Sequence, residues 1–136
     1  MAEWTEPKTD WTTEDAFDYV SYNRVTGNIL FLKQYADKLF GNVTDFPMET
    51  GKDNISLIYA RHMNDIEEGL ETLNIQTYGF EVGEKKTYKP NGNVPDSAEY
   101  NRIESACLKL YNEMKVHEDN LYKLDFTLGN QKGFRV

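Results

Sequence analysis

Tyr22-Asn23-Arg24-Val25, Met63-Asn64-Asp65-Ile66 and Tyr100-Asn101-Arg102-Ile103 are three versions of one short pattern, and their reading decides the fold. Four positions past the end of each stands an apolar or sulfur-bearing residue (Ile29, Leu70, Cys107), and three beyond that a leucine (Leu32, Leu73, Leu110). Steps of three and four keep side chains on one stripe of an α-helix. Recurrence of such a unit implies one amphipathic helix used three times and packed against itself. The predicted fold class is therefore mainly α: a three-helix bundle of antiparallel to oblique helices built from a repeated amphipathic helix. Short β elements are expected in the 78–95 connection and at the C-terminus.

Helix limits follow outward from these stretches. Asp18 stands five residues before Asn23, and Asp96 five before Asn101; aspartate is a favoured N-cap. The first helix is predicted over residues 18–40, with Tyr22, Val25, Ile29, Leu32, Ala36 and Leu39 on its seam and Gly41 as its stop. The second runs from residue 54 or 56 to residue 77, with Met63, Ile66, Leu70 and Leu73 on the seam and Ile58, Tyr59 and Ile75 widening it. The third starts at Asp96, with Glu99 completing a capping arrangement, and carries Tyr100, Ile103, Cys107, Leu110 and Met114. Gly27, Gly69 and Ser105-Ala106 fall near one level, which predicts that the helices approach closely there. Residues 1–17 read as an extended leader and residues 18–136 as a single helical domain.

Between the second and third helices, Gly79, Gly83, Pro90, Asn91-Gly92-Asn93 and Pro95 mark a long connection. It reads as a loop with a short hairpin formed by 78–83 and 85–89. Near the end, Leu121-Tyr122-Lys123-Leu124-Asp125-Phe126-Thr127-Leu128 alternates apolar and polar residues. That is strand periodicity, with a turn at 129–133 bringing 134–136 back to pair.

Asparagine is a mediocre helix former because its amide competes for nearby backbone groups. Its recurrence at one place in three helices predicts that Asn23, Asn64 and Asn101 lie at bundle edges and hydrogen-bond loop backbone from a neighbouring unit. The alternative is a surface asparagine inherited without consequence.

Composition narrows the function. A chain of 136 residues is long enough to bury a core as one domain. Its net charge is −8 and its densest basic run is Lys85-Lys86. Nucleic acids and anionic membranes call for clustered Lys and Arg, so both are set aside as partners. Cys107, the single cysteine, excludes an internal disulfide and a cysteine-based zinc site. Neither a signal-like N-terminus nor an apolar run of membrane-spanning length occurs, and cytoplasmic folding is the expectation.

His62 and His117 have no partner at ligand spacing, and no HExxH, GxGxxG, phosphate-binding loop or GxSxG occurs. Cys107 lies on a seam and reads as a small buried hydrophobe. Glu67, Glu68 and Glu71 cluster on the second helix and read as a solvated face rather than a cation site. No catalytic residue, cofactor or metal is expected. The aromatic residues are the candidates for contact: Trp4 and Trp11 in the leader, Tyr78, Phe80 and Tyr88 after the second helix, and Tyr122, Phe126 and Phe134 near the end. Each has the competing role of completing the core, and the leader either straps onto its own domain or docks as an arm on a neighbouring subunit.

The leader Pro7-Lys8-Thr9-Asp10-Trp11, then Asp15-Ala16-Phe17 and Ser21-Tyr22-Asn23-Arg24-Val25, resembles small tail-module structural proteins of phages and prophages of Gram-positive bacteria. Met63-Asn64-Asp65-Ile66-Glu67-Glu68-Gly69 and Tyr100-Asn101-Arg102-Ile103-Glu104 fit the same helix-start pattern, although the second stretch lacks the Tyr and the Arg. The resemblance implies a non-enzymatic virion structural or assembly protein of a tail or baseplate. Its partners would be other virion proteins, with a homo-oligomer also open, and its place the host cytoplasm during assembly and then the virion. A cell-surface saccharide-binding module of a tail is the alternative, since sugars stack on exposed Trp and Tyr.

Overall fold

Each helix begins at a cap five residues before its asparagine. In the computed structural model, which describes residues 3–92 and 94–130 with side chains as far as Lys123, Asp18 accepts the Ser21 N–H at 3.0 Å and opens α1, Tyr19–Phe40. The helix stops at Gly41, whose φ of 92° lies in the region that favours glycine. Asp96 plays the same part for α3, Ser97–Asn130, by accepting the Glu99 N–H at 3.0 Å. Helix α2, Ala60–Gln76, is capped differently: the ring of His62 turns back, and its Nδ1 accepts the Tyr59 N–H at 2.8 Å.

The seams meet in one core. Tyr22, Val25, Ile29, Leu32 and Ala36 of α1, Met63, Ile66, Leu70 and Leu73 of α2, and Ile103, Cys107, Leu110 and Met114 of α3 are all buried together. Burying each large apolar side chain contributes about 1.5–3 kcal/mol. This core is the source of stability, and all three pairs of helices touch across it.

Contacts along the helices fix their directions. Arg24 on α1 meets Glu104 on α3, and eleven residues later Tyr35 meets Glu118. Tyr22 lies 5.9 Å from His62 in α2, and Phe40 lies 5.3 Å from Tyr78 just past its end. Glu67 of α2 meets Arg102, and Tyr78 bonds His117 at 3.1 Å. Each pair advances in the same sense, so the three helices run parallel. This corrects the antiparallel-to-oblique expectation. The reason lies in the connections: residues 41–59 and 77–96 are long enough to travel back down the bundle, where a tight turn would have reversed the chain.

The extended segments are straps, each running against the helices it touches. In the leader, Trp4 stacks on Tyr111 at 4.0 Å, Thr5 bonds Asn28, and Trp11 and Phe17 reach Tyr100. In 41–59, Thr44 bonds Gln76, Phe46 and Met48 cover Gly69, and Lys52 bonds Asn23. In 77–96, Phe80 bonds Asn74, Lys86 bonds Glu67, and Tyr88 bonds Asn64. The leader therefore fills the groove between α1 and α3, and the two connections fill the other two grooves.

Several expectations change. Among the described residues there is no strand: 78–95 is a strap without a hairpin, with Phe80 and Tyr88 bonded to helix side chains and a local turn in which the Gly92 N–H donates to the Lys89 carbonyl at 2.9 Å. Residues 121–128 continue α3, because Leu121, Leu124 and Leu128 satisfy helical steps of three and four as well as alternation, and no Pro or Gly intervenes after Asp96 until Gly129. The turn and pairing expected at 129–136 fall largely outside the described residues. Helix α2 starts at Ala60, later than expected, because Asp53 and Ser56 close a local turn of their own. Tyr59 and Ile75 face solvent, whereas Ile58 packs on the core. The two glycines do not mark helix contacts, since Gly69 is covered by a strap and Gly27 has open space around its Cβ position, whereas Ala106 is buried in the core the helices share.

Two predictions follow from these local forces. Gly27→Ala gains helix propensity without a clash, so urea unfolding is expected to show up to about 1 kcal/mol of added stability. Gly69→Ala, whose Cβ meets Met48 at 2.7 Å and the Phe46 ring at 2.8 Å, is expected to destabilise; equal gains at both sites would refute the strap packing. The Ser21 N–H bond holds the Asp18 carboxyl below the usual carboxylate range. Such a group stabilises the fold above its unfolded pKa, and that contribution fades as pH falls through the lower folded value. Asp18→Ala is expected to cost about 1 kcal/mol at pH 7 and clearly less at pH 3, measured by thermal unfolding.

Candidate functional site

Asn23, Asn64 and Asn101 each make the same pair of bonds. Asn23 Nδ2 donates to the Lys52 carbonyl at 2.7 Å while its Oδ1 accepts the Lys52 N–H at 2.8 Å. Asn64 holds both backbone groups of Tyr88 at 2.8 and 2.7 Å, and Asn101 those of Trp11 at 3.0 and 2.7 Å. Each helix thus grips the strap that leads into the next one, and α3 grips the strap that leads into α1. Asn28 on Thr5 and Asn74 on Phe80 repeat the device, at 2.8 Å in every bond. An amide side chain is suited to this because it carries a donor and an acceptor side by side, matching one residue's N–H and C=O.

Three residues past two of these asparagines sits a buried glutamate. Glu104, 1% exposed, accepts two bonds from Arg24 at 2.7 and 2.8 Å, one from the Trp11 indole at 2.5 Å and one from the Lys8 N–H at 3.0 Å. Glu67, 2% exposed, accepts from Arg102 at 2.5 Å, from the Tyr88 hydroxyl at 2.9 Å and from the Lys86 N–H at 3.3 Å. Burial and the neighbouring Glu67 carboxylate push the Tyr88 hydroxyl well above its ordinary range. The hydrogen bond with Glu104 raises the Arg24 guanidinium above its ordinary value against the opposing effect of burial. Glu67 therefore does not belong to a solvated face; only Glu68 and Glu71 do, sharing Lys85 at 3.2 and 3.3 Å.

At the third junction both partners differ together: Asp65 stands where the arginine would be and Thr26 where the glutamate would be. Thr26 instead bonds Thr50 at 2.8 Å, and His62 Nε2 lies 2.9 Å from Glu49. Because Nδ1 accepts from Tyr59, the neutral ring carries its proton on Nε2 and donates it to Glu49. Cys107 is 1% exposed, and burial pushes its thiol up to about 12, which keeps it protonated and unreactive.

The aromatic candidates divide by burial. Trp11 (5% exposed) and Tyr88 (9%) are consumed by the clamps and the glutamates, so they are core rather than contact surface. Trp4, Tyr78 and Phe80 pack half-buried against the core. Tyr122 is exposed on α3; Phe126 has its backbone in α3 but its side chain lies outside the described residues, as does Phe134. The exposed apolar surface lies elsewhere, at Ile55 (83% exposed), Leu57 (63%), Tyr59 and Val94 (82%). Tyr59 and Val94 rim an open groove of about 660 Å³ whose walls include Phe17, Met63, Pro90 and Tyr100. Two cations, Arg61 and Lys89, line it and no carboxylate does. Sequence periodicity missed this site because its residues come from caps and straps, which carry no helical pattern; the run Ile55-Ser56-Leu57-Ile58-Tyr59 before a helix was the available signal.

Among the described residues, no group of three His, Cys, Asp or Glu is placed to hold a metal ion, and no helix is long and apolar enough to cross a membrane. No known family model, curated protein or solved structure matches this chain significantly.

Alanine at Asn23, Asn64 or Asn101 leaves a strap's backbone pair without partners. Urea unfolding is expected to show a loss of about 1–3 kcal/mol for each. Losses below about 0.5 kcal/mol at all three would make the amides incidental, since exposed hydrogen bonds of that size are commonplace.

Proposed function

We propose that this chain is a non-enzymatic structural or assembly component of a phage or prophage tail, associated with the tail or baseplate, and that it works by protein–protein contact. The observation that carries the contact reading is the exposed apolar run Ile55, Leu57 and Tyr59, beside Val94 at the rim of the groove. Large aliphatic side chains at 83%, 63% and 82% exposure, close together in the chain or at the groove rim, are the kind of apolar surface that protein contacts cover. The buried polar groups support it from the other direction: Glu67, Glu104 and the clamp asparagines are spent on fastening straps to helices. The tail setting rests on the sequence resemblance at the three helix starts. Mass spectrometry of particles purified from a strain carrying the gene is expected to find the chain in fixed ratio to tail proteins; absence from the particles would remove the setting.

The groove also favours the second reading, a saccharide-binding module, because the partly exposed rings of Phe17, Tyr59 and Tyr100 stand beside Arg61 and Asn91. Glycan-array binding that disappears in Tyr59→Ala would move the assignment there; a blank array leaves protein contact as the reading.

A further inference from the structure

We infer that the groove takes an acidic segment of another protein, one that sets apolar side chains between its carboxylates. This rests on the protein-contact reading above and names the partner's chemistry. What carries it is a charge imbalance. The chain has a net charge of −8, and most of its described cations are spent on carboxylates: Arg24, Lys33, Lys38, Lys52, Lys85 and Arg102 each meet one at 2.5 to 3.2 Å. Arg61 and Lys89 are exposed, line the groove and make no ion pair among the described residues. No carboxylate lines it; Asp65, one turn on from Arg61, feels that charge from outside the groove. The adjoining hollow holds a third such cation, Lys86, and its two carboxylates are occupied: Asp96 accepts the Glu99 N–H, and Glu99 takes Arg102 at 2.8 Å. Unmatched cations gathered at one hollow of an acidic protein favour a negative partner and speed its arrival.

Both groove cations stand on fixed backbone. Asn64 holds both backbone groups of Tyr88, and the next residues close a turn in which the Gly92 N–H donates to the Lys89 carbonyl at 2.9 Å. Pro90 makes the first corner of that turn. Asn91 makes the second at φ 61°, a left-handed conformation that asparagine tolerates. Arg61 lies in the first turn of α2, its guanidinium 5.3 Å from the centre of the Tyr59 ring. Phe17, Tyr59, Met63 and Tyr100 supply apolar wall beside them. Aromatic rings, methionine and arginine are the residues enriched where proteins bind one another. A volume of about 660 Å³ is in the range that encloses a few side chains. The complement is a segment that brings carboxylates to Arg61 and Lys89 and an aromatic or aliphatic side chain to the rings. A neutral saccharide would use the rings and leave the cations unmatched.

The test selects short random peptides from a displayed library against the full chain, in parallel with a variant carrying Arg61→Glu and Lys89→Glu, both at exposed positions. Peptides retained by the wild type are expected to hold at least about two-fold more Asp and Glu than the library, interspersed with aromatic or aliphatic residues, while the variant retains basic ones. A selected peptide is expected to bind the variant at least about ten-fold more weakly, with unchanged circular dichroism, and to lose affinity to the wild type as salt rises. Val94→Glu keeps both cations but puts a carboxylate at the rim, and is expected to weaken the same peptide. Basic or neutral selected peptides, no enrichment at all, or equal binding to the variant would each overturn the proposal. So would a glycan that binds where no peptide does, or self-association of the chain that the two substitutions abolish. A chain found in virions that selects no acidic peptide would end this inference and leave protein contact standing.

Discussion

Parallel helices within one chain impose a cost that antiparallel ones avoid: the backbone must return the full length of the bundle between helices. The returning segments lie against an apolar core, where peptide groups need partners and neither helix nor sheet supplies them. In this fold the partners are side-chain amides. A clamp asparagine gives one residue of the strap both a donor and an acceptor, at distances between 2.7 and 3.0 Å. Glutamine has the same groups on a longer stem and loses more rotamer freedom when fixed. The few tenths of a kcal/mol that asparagine costs a helix relative to better formers are smaller than the cost of leaving a buried peptide unpaired, about 1–3 kcal/mol. The clamp therefore wins over local propensity at these positions.

The Arg–Glu pairs have a different role. A buried ion pair contributes little net stability against an apolar replacement, because desolvation offsets most of the attraction. The core cluster, at about 1.5–3 kcal/mol for each large side chain, drives folding. What Arg24–Glu104 and Arg102–Glu67 add is selectivity of arrangement: a mispaired helix would strand a charged group in a dry site. At the α1–α2 junction the arginine and the glutamate are both replaced, by Asp65 and Thr26, so neither is left as an unmatched half of a pair. Thr26, Thr50, His62 and Glu49 satisfy one another there instead.

Much of this was legible in the sequence, and the parts that were not share a physical reason. Spacing of three and four found all three helices and the core seam, the aspartates found two starts, and the poor helix propensity of asparagine pointed to its bonds. Helix direction is not carried by periodicity, which is the same read either way along an axis; the length of 41–59 and 77–96 carries that information. The end of α3 is ambiguous in the sequence because 121–128 alternates apolar and polar residues while Leu121, Leu124 and Leu128 also fit helical steps. The burial of Glu67 and Glu104 was invisible because a carboxylate goes inside only when its partners come with it. Those partners arrive from straps up to 96 residues away in sequence.

Direction then decides what kind of surface the molecule can present. Antiparallel helices mix starts and ends at both poles, so dipoles cancel and the poles resemble each other. Here every start lies at one pole and every end at the other, and the poles differ in their exposed side chains. The grooves along the sides are already filled by straps whose polar groups are matched internally. Exposed apolar side chains remain toward both poles: Ile55, Leu57, Tyr59 and Val94 near the helix starts, and Leu121 and Tyr122 near the other end of α3. With the sides filled by straps, exposed apolar side chains are left toward the ends of the bundle, and that placement follows from the parallel arrangement rather than from any single residue.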